Sequence, residues 1–239
     1  MAQIVKRGYV HSDEIEFTNK NIMLLKQAQV DICYLLNHGY KLNKTVEFIG
    51  NHFLLSARQR LALKRVISSN EDVNRRKKHE LIDGYDGSTV HIDGLNIIIT
   101  LEVALSNSTL LKCMDGTLRD LAGLRGTYKL IDKTDIAIEL IGSKLSEMKI
   151  KKAVFYLDSP VSNAGRLKLR ILELLDTYDF DVDVLLVPNA DVILSKLDHV
   201  ITSDGIILND CSSWINLAYK IINKNLPHTH YIDFQISYT

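Results

Sequence analysis

After residue 80 the sequence alternates short β-branched runs with helical patterns, and this alternation restricts the fold more than any other feature. Four strands are predicted, at 89–92, 153–157, 182–187 and 199–202. Helical patterns lie between and after them, at 134–148, 162–176, 190–196 and 213–223. Strands that alternate with helices favour right-handed βαβ crossovers and helices on both faces of the sheet. We therefore predict an α/β fold with a mainly parallel sheet.

The first 80 residues have apolar positions spaced for helices instead. One helix is predicted to end near Gly39, a second to begin near Thr45, and a third to begin after Ser56, which is a good N-cap residue. The change of pattern predicts two domains. We expect a small all-α domain with its linker over residues 1–80 and an α/β domain over residues 81–239.

The charge of the chain is divided in the same way. Residues 1–80 carry 14 Lys and Arg against 8 Asp and Glu, and the remainder carries 15 against 21. This is typical of a protein whose basic part holds a polyanion, although two ordinary surfaces with a chance imbalance are an equal alternative. The third helix is expected to turn basic side chains largely toward solvent, namely Arg58, Arg60, Lys64 and Arg65. The stretch "NEDVNRRKKHE" (70–80) has little apolar content, and we interpret it as a solvated linker or a helix extension.

The stretch 107–133 is interrupted by glycines and has poor periodicity. We predict a long functional loop or an irregular hairpin over one edge of the sheet. Within it Arg119 and Asp120 are candidate substrate contacts. An ordinary surface salt pair is the alternative for these two residues.

Several classes of protein are not supported by the composition. Cys33, Cys113 and Cys211 are widely spaced and odd in number, so we expect reduced, buried thiols and no disulfide framework or thiolate metal site. No apolar run approaches the roughly 18 residues that span a bilayer, and the opening residues contain no apolar stretch of signal-peptide length. We expect a soluble, cytoplasmic protein without a membrane partner. The oligomeric state stays open, a homodimer included.

Every predicted strand is followed closely by an aspartate, and these residues are Asp93, Asp158, Asp191 and Asp204. The carboxyl ends of parallel strands lie on one side of a sheet, where open α/β folds place their ligand crevices. A lone aspartate at such a place is more often a helix cap or a turn residue. Four at matching positions predict a carboxylate cluster, whose oxygen ligands suit Mg²⁺ or Mn²⁺.

The stretches "HIDGLN", "NADVIL" and "VITSDGIIL" resemble the PIN-like nucleases, and more closely their NYN branch. In that branch the first strand ends in Asp-Gly-x-Asn and the last motif is an Asp turn rich in Ser and Thr. The resemblance covers about residues 80–235 and implies a PIN-like three-layer sandwich. The full chain also looks like an uncharacterised prokaryotic family in which a basic helical module precedes such a domain.

The resemblance implies roles for individual residues. Asp93 would be the first metal ligand, and Asn96 would position phosphate or water. Asp191 would match the acid on the helix before the final motif. Asp204 would be the acid of that motif, with Thr202 and Ser203 shaping the turn.

The chain also departs from the NYN pattern. The further acid that many NYN nucleases carry past the last motif has only Asn209 or Asp210 as imperfect candidates. Asp158 is stronger than the pattern requires, and Ser162 and Arg166 behind it are candidates to bind a phosphate. A proline-containing turn with Ser162 as the N-cap is an equal alternative.

The leading hypothesis is a metal-dependent ribonuclease. Its expected metal ligands are Asp93, Asp158, Asp191 and Asp204, with Asn96 as a further catalytic residue. RNA is the expected partner, held by the basic residues of the helical part and by Arg119, Ser162 and Arg166. The alternatives are a non-catalytic RNA-binding or regulatory protein that keeps a PIN-like fold, and a phosphatase-like site for a phosphorylated small molecule.

Overall fold

The computed structural model describes residues 5–123 and 126–235, and its first part is helical. Within these residues five helices precede the first strand: α1 (Asp13–Glu16), α2 (Asn19–Asn37), α3 (Leu42–His52), α4 (Ala57–Val66) and α5 (Asn70–His79). Helix α4 begins where it is predicted to begin. The Ser56 hydroxyl accepts from the Gln59 N–H, and the Gln59 side chain accepts from the Ser56 N–H, which is a capping box.

Of the two interpretations of residues 70–80, the solvated linker is wrong. Ser69 caps α5 by accepting from the Asp72 N–H, and Val73 and Arg76 lie on the buried face of this helix. The stretch carries few apolar residues because an arginine takes one of its buried positions. The basic run in this stretch therefore belongs to a helix that packs against the rest of the protein.

After α5 the chain alternates strands and helices, as predicted. The elements are β1 (Thr89–Asp93), α6 (Gly94–Leu105), β2 (Leu110–Lys112), β3 (Leu118–Asp120), α7 (Thr134–Glu147), β4 (Lys152–Asp158), α8 (Ala164–Leu175), β5 (Asp181–Val187), α9 (Ala190–Leu194), β6 (Val200–Ile201), α10 (Gly205–Asp210), α11 (Leu217–Asn225) and β7 (Tyr231–Asp233). The four predicted strands are all present. The last predicted helix begins at Leu217 rather than at residue 213, because Trp214 makes bridges with Glu80 and Val200.

The larger sheet has the strand order β5-β4-β1-β6, and each neighbouring pair is parallel. This confirms the predicted α/β fold with a mainly parallel sheet and a helical region before it. Asp93 pairs with Tyr156, and Asp158 pairs with Val187. The register therefore brings the carboxyl ends of β1, β4 and β5 to the same edge of the sheet, next to the end of β6.

A smaller sheet has the strand order β3-β2-β7, in which β2 and β3 form an antiparallel hairpin and β7 runs parallel to β2. The stretch 107–133 thus contains the expected hairpin, but the hairpin builds a second sheet with the C-terminal strand. Residues 124 and 125 of that stretch, and the chain ends at 1–4 and 236–239, lie outside the described residues. The predicted domain limits at 1–80 and 81–239 stay a prediction.

The helical part and the α/β part share one core. Apolar residues of α2–α5, such as Ile32 and Leu63, cluster with Leu111 and Leu121 of the hairpin region and with Phe234 after β7. A separate core lies between the larger sheet and helices α6, α7, α8 and α11. Because residues of both parts bury apolar surface in the first of these cores, the hydrophobic effect holds the helical part against the α/β part.

Two further expectations concern the cysteines and the membrane. Cys33, Cys113 and Cys211 are free and buried, as predicted. Among the described helices, none combines the length and the apolar character that crossing a membrane requires.

Candidate functional site

Strand β1 ends with Asp93 at the edge of the sheet, where the residue is only 7% exposed. The next residue, Gly94, begins α6, and a Cβ there would meet the Leu157 side chain at 2.6 Å. Glycine therefore lets α6 start close against β4 and places the carboxylate of Asp93 at the junction of β1 and α6.

The pKa of Asp93 is raised to about 7. Burial is the largest cause, and the negative charges of Asp204 and Asp191 raise the pKa further. The Thr202 hydroxyl opposes this by donating a hydrogen bond of 2.8 Å to Asp93 Oδ2. Near neutral pH this carboxyl group is therefore only partly ionised in the metal-free protein.

The turn after β6 carries the second acid. Asp204 is the N-cap of α10 and accepts a 2.7 Å hydrogen bond from the Ile206 N–H. Its own N–H donates to Thr202 Oγ1 over 3.0 Å. Asn96 Oδ1 accepts from both the N–H and the hydroxyl of Ser203, at 3.0 Å and 2.9 Å. Thr202 and Ser203 therefore tie this turn to Asp93 on β1 and to Asn96 on α6.

The remaining two acids follow β4 and β5 in the chain, at the end of β4 and in α9. Asp158 Oδ1 accepts a 2.8 Å hydrogen bond from the N–H of Ala190, the first residue of α9. Asp191 is the second residue of that helix, and burial followed by the charges of Asp204 and Asp158 raises its pKa. The charge of Asp204 therefore acts on both Asp93 and Asp191, whereas Asp158 acts only on Asp191.

The donor chemistry of these residues is oxygen only, which suits Mg²⁺ or Mn²⁺. Among residues 5–123 and 126–235, no three His, Cys, Asp or Glu side chains stand in a group that could hold a metal ion. Mg²⁺ is commonly bound through one or two carboxylates together with waters and substrate phosphates. A Mg²⁺ site at Asp93 and Asp204 would therefore need water and a substrate phosphate beside the carboxylates, in place of a cage of three protein ligands.

A buried charge network holds the Asp204 turn from behind. Asp115 Oδ2 accepts hydrogen bonds from Arg76 Nη1 at 2.7 Å and from Arg119 Nη2 at 2.8 Å. All three residues are buried: Arg76 is 4% exposed, Asp115 is 2% exposed and Arg119 is 8% exposed. Arg119 also donates to the carbonyl of Ser203, and Arg76 donates to that of Gly205. The network therefore connects α5, the hairpin and both sides of Asp204.

Of the two interpretations of Arg119, the surface salt pair with Asp120 is wrong. Its buried guanidinium donates to Asp115, Ser203 and Arg65, and it makes no surface pair with Asp120. Asp120 is also buried, and it accepts from the hydroxyl of Thr100 over 3.2 Å. Arg119 supports the turn and also lines the cleft beside it, so its role as a substrate contact stays a prediction.

The basic side chains of α4 divide into two pairs. The expectation that Arg58 and Arg60 point to solvent is wrong: Arg58 donates to both oxygens of Asp13, and Arg60 donates to the carbonyls of Leu55 and Gly50. These contacts complete the packing of the helical part.

Lys64 and Arg65 have a different setting. Lys64 is exposed, Arg65 is half-buried, and both line a cleft of about 450 Å³ between the helical part and the α/β part. Asn96, Ser203 and Asp204 lie on the opposite wall of this cleft. The predicted cationic side of the helical part therefore reaches the acidic turn through these two residues.

The segment after Asp158 contains Ser162 and Arg166, the two candidates for phosphate binding. Ser162 donates its N–H to the Gly126 carbonyl, and α8 begins after Asn163, which is in the left-handed conformation. Ser162 is therefore not the N-cap. Arg166 is exposed on the first turn of α8. The role of these two residues in phosphate binding stays a prediction.

Sequence reasoning did not find Arg76 and Asp115. Asp115 stands in "MDGT", which reads as an ordinary turn, and no signal there marks it as an ion-pair partner. Arg76 was hidden in the basic run of α5. Arg76 lies three residues after Val73, and residues i and i+3 share one helix face. This spacing was the signal that could have placed Arg76 on the buried face.

Comparisons with known proteins match the two parts of the chain separately. A family model described as "Domain of unknown function (DUF5616)" matches residues 82–220, and one described as "Protein of unknown function (DUF434)" matches residues 24–79. The chain is also similar to "Uncharacterized protein MJ0935" of Methanocaldococcus jannaschii, with 35% identity over 188 residues, which cover 78% of this chain and 89% of the relative. No solved structure matches the chain significantly.

Proposed function

Because the chain belongs to the family described as a domain of unknown function (DUF5616), whose name assigns no activity, we propose a function from the site itself: a metal-dependent phosphodiesterase that cleaves RNA. The observation that carries this proposal is the setting of Asp93. Its carboxylate is buried at the end of a parallel strand, and its charged neighbours Asp204 and Asp191 are also acids. Carboxylates collected in this way are stabilised when they share a cation.

The cation would be Mg²⁺ or Mn²⁺, held by Asp93 and Asp204 with Asp191 beside them. When bound in such a site, a divalent ion activates water and stabilises the charge that develops on a phosphoryl group. Water and a substrate phosphate would complete its coordination, as is common for Mg²⁺. The resemblance of "DGLN" and "TSDG" to NYN nucleases supports the same chemistry.

The protein's own residues would position the reacting groups. Thr202 holds Oδ2 of Asp93, and Ser203 holds Oδ1 of Asn96, so neither side chain is free to rotate away from the edge of the sheet. Asp158 holds the start of α9 and so sets the position of Asp191. Fixed polar groups of this kind need little reorganisation during a reaction.

Cleavage of end-labelled single-stranded and hairpin RNA with Mg²⁺ or Mn²⁺ tests the proposal. The variants are Asp93→Asn and Asp204→Asn, with Asp176→Asn at the exposed end of α8 as the matched control. Asparagine keeps a hydrogen-bond acceptor at each position and is itself a good N-cap at 204, so the variants are expected to fold. Metal-dependent cleavage that only the first two substitutions abolish supports the proposal. Absence of cleavage, or cleavage that survives both, contradicts it.

A non-catalytic RNA-binding protein is the second candidate function. The observation in its favour is that, in the described part of the chain, no three potential ligands form a metal-holding group. Such a protein would bind the same RNAs without cutting them, and neither Asp93→Asn nor Asp204→Asn would weaken the binding.

A further inference from the structure

We propose that Lys64 and Arg65 bind a phosphate of single-stranded RNA in the cleft between the helical part and the α/β part, so that the helical part supplies part of the substrate site. The choice of RNA as the ligand rests on the proposed function. The placement of the phosphate rests on the cleft itself, which holds cations from one part of the chain facing polar groups from the other.

The basic side chains of this region differ in whether the protein itself supplies their partners. The guanidinium groups of Arg58, Arg60, Arg76 and Arg119 all donate to acceptors of the protein itself. By contrast, the side chains of Lys64 and Arg65 make neither a hydrogen bond nor an ion pair with any described residue, and both line the cleft. Asp120 interacts electrostatically with Arg65, but its carboxylate oxygens accept hydrogen bonds from the Thr100 hydroxyl and the Ala122 N–H.

The wall of the cleft contains buried charges, since Arg76 and Arg119 belong to its lining. Arg76 and Arg119 share one carboxylate, that of Asp115, and all three side chains are buried. This leaves one positive charge in excess in a poorly solvated place, where it is costly unless another anion is near. Asp204 is the other acid that acts on Arg119. The lining carries four cationic side chains, Lys64, Arg65, Arg76 and Arg119, against the two acids Asp72 and Asp204, and this excess of positive charge favours an anionic ligand.

The size and lining of the cleft favour a single strand over a duplex. Its volume of about 450 Å³ takes a nucleotide unit of a flexible strand, whereas a duplex presents its phosphates on a broad convex surface. Apolar side chains also contribute to the lining, namely Leu36, Leu42, Ile67 and Ile206. A positively charged groove with apolar contacts for sugar or base is the arrangement that proteins use for single strands.

The cleft is continuous with the acidic site at the ends of β1 and β6. Asn96 and Asp204 line the cleft, and Asp204 interacts electrostatically with Asp93. A strand whose phosphate lies on Lys64 and Arg65 would therefore pass along the ends of β1 and β6. The phosphate in the cleft would be a neighbour of the one presented to the aspartates.

Binding measured in EDTA tests this inference without cleavage. Fluorescein-labelled single-stranded RNA and a blunt duplex of the same sequence are titrated with the full chain, and the anisotropy is followed over a series of salt concentrations. The test variant is Lys64→Gln with Arg65→Gln. The matched control is Lys77→Gln with Lys78→Gln, which removes the same charge from exposed positions of α5 outside the cleft lining. Thermal unfolding checks that both double variants are folded.

The wild-type protein is expected to bind the single strand more tightly than the duplex. The test variant is expected to bind it at least about tenfold more weakly, and the slope of log K against log salt should fall by roughly 0.7 for each lost phosphate contact. The control should keep the wild-type slope. Equal weakening by the two double variants, wild-type binding by the test variant, or equal binding of duplex and single strand would each overturn the inference.

The outcomes also separate this inference from the proposed function. Cleavage that Asp93→Asn abolishes, combined with wild-type binding by the Lys64 and Arg65 variant, would keep the phosphodiesterase and remove the phosphate site. Loss of binding in that variant, with no cleavage by the wild-type protein, would keep the phosphate site and remove the phosphodiesterase.

Discussion

The Thr202 hydroxyl donates a 2.8 Å hydrogen bond to Asp93 Oδ2 and accepts a 3.0 Å hydrogen bond from the Asp204 N–H. One side chain thus joins the acid at the end of β1 to the acid after β6. Because it donates to the ionised form of Asp93, it opposes the effect of burial on that carboxyl group.

Replacement of Thr202 by valine is therefore expected to raise the pKa of Asp93 and to leave the Asp204 N–H without its acceptor. The loss of stability should be about 1–3 kcal/mol, the usual cost of an unsatisfied buried polar group. RNA cleavage should fall as well, since both acids lose a positioning contact. Urea unfolding and cleavage assays of Thr202→Val and Thr202→Ser check this. If the serine variant, which keeps the hydroxyl, behaves like the valine variant, the hydrogen bonds are not the cause.

The stability of the metal-free protein should depend on pH through Asp93. The folded-state pKa is about 7, above the ordinary value of 3.8, so folding binds a proton at this group. The destabilising effect is absent below pH 4, grows as the pH rises between about 4 and 7, and is complete above that range. Its full size is on the order of 4 kcal/mol. Urea unfolding in EDTA at pH 5 and pH 8 measures it.

The Asp93→Asn variant is the control for this pH effect. Asparagine does not ionise, so the variant should lose less stability than the wild type between pH 5 and pH 8 and should be the more stable of the two at pH 8. Parallel pH profiles for the two proteins would show that ionised Asp93 is not a source of instability.

Divalent cations should reverse the destabilisation. A ligand that binds only the folded protein raises its unfolding temperature by mass action. Mg²⁺ or Mn²⁺ at millimolar concentration should therefore raise the midpoint of thermal unfolding at pH 8, where Asp93 is ionised, more than at pH 5. The shift should be smaller in Asp93→Asn and in Asp204→Asn, and unchanged in Asp176→Asn. An equal shift in all four proteins would mean that the ions act elsewhere.

The fold was readable from the sequence because its signals are local. The strand at 89–92 and the cap at Ser56 were predicted from adjacent residues, and the structure has β1 at Thr89–Asp93 and a capping box at Ser56. The spacing of acids after parallel strands also located the edge of the sheet at which Asp93 and Asp204 lie.

The support of the site was not readable, because it depends on contacts between residues far apart in sequence. Arg76 meets Asp115 39 positions later and Gly205 129 positions later. No local pattern distinguishes Arg76 from Lys77 beside it, although the first is buried and the second is exposed. The same limit applies to Arg58, whose partner Asp13 lies 45 positions earlier. The sequence predicts whether a basic residue is exposed from the helix face on which it lies. In the folded protein, the elements that pack against that face determine whether the residue is buried.

The network of Arg76, Asp115 and Arg119 leads to the last prediction. Burial pushes the pKa of Asp115 upward, but the two guanidinium groups outweigh it and the pKa lies below the ordinary value. Asp115→Asn removes the shared charge and leaves two buried cations facing each other. Breaking a buried ion pair in this way costs about 3–5 kcal/mol, so the variant should unfold at a much lower urea concentration.

The matched control for Asp115 is Glu147→Gln, which removes exposed ion pairs to Lys144 and Lys224. Surface pairs of this kind contribute little, so the unfolding midpoint should stay close to that of the wild type. Because the network also holds the carbonyls on both sides of Asp204, Asp115→Asn should reduce RNA cleavage under conditions where the variant is still folded. A stable, fully active Asp115→Asn protein would mean that the Asp204 turn keeps its position without the charges behind it.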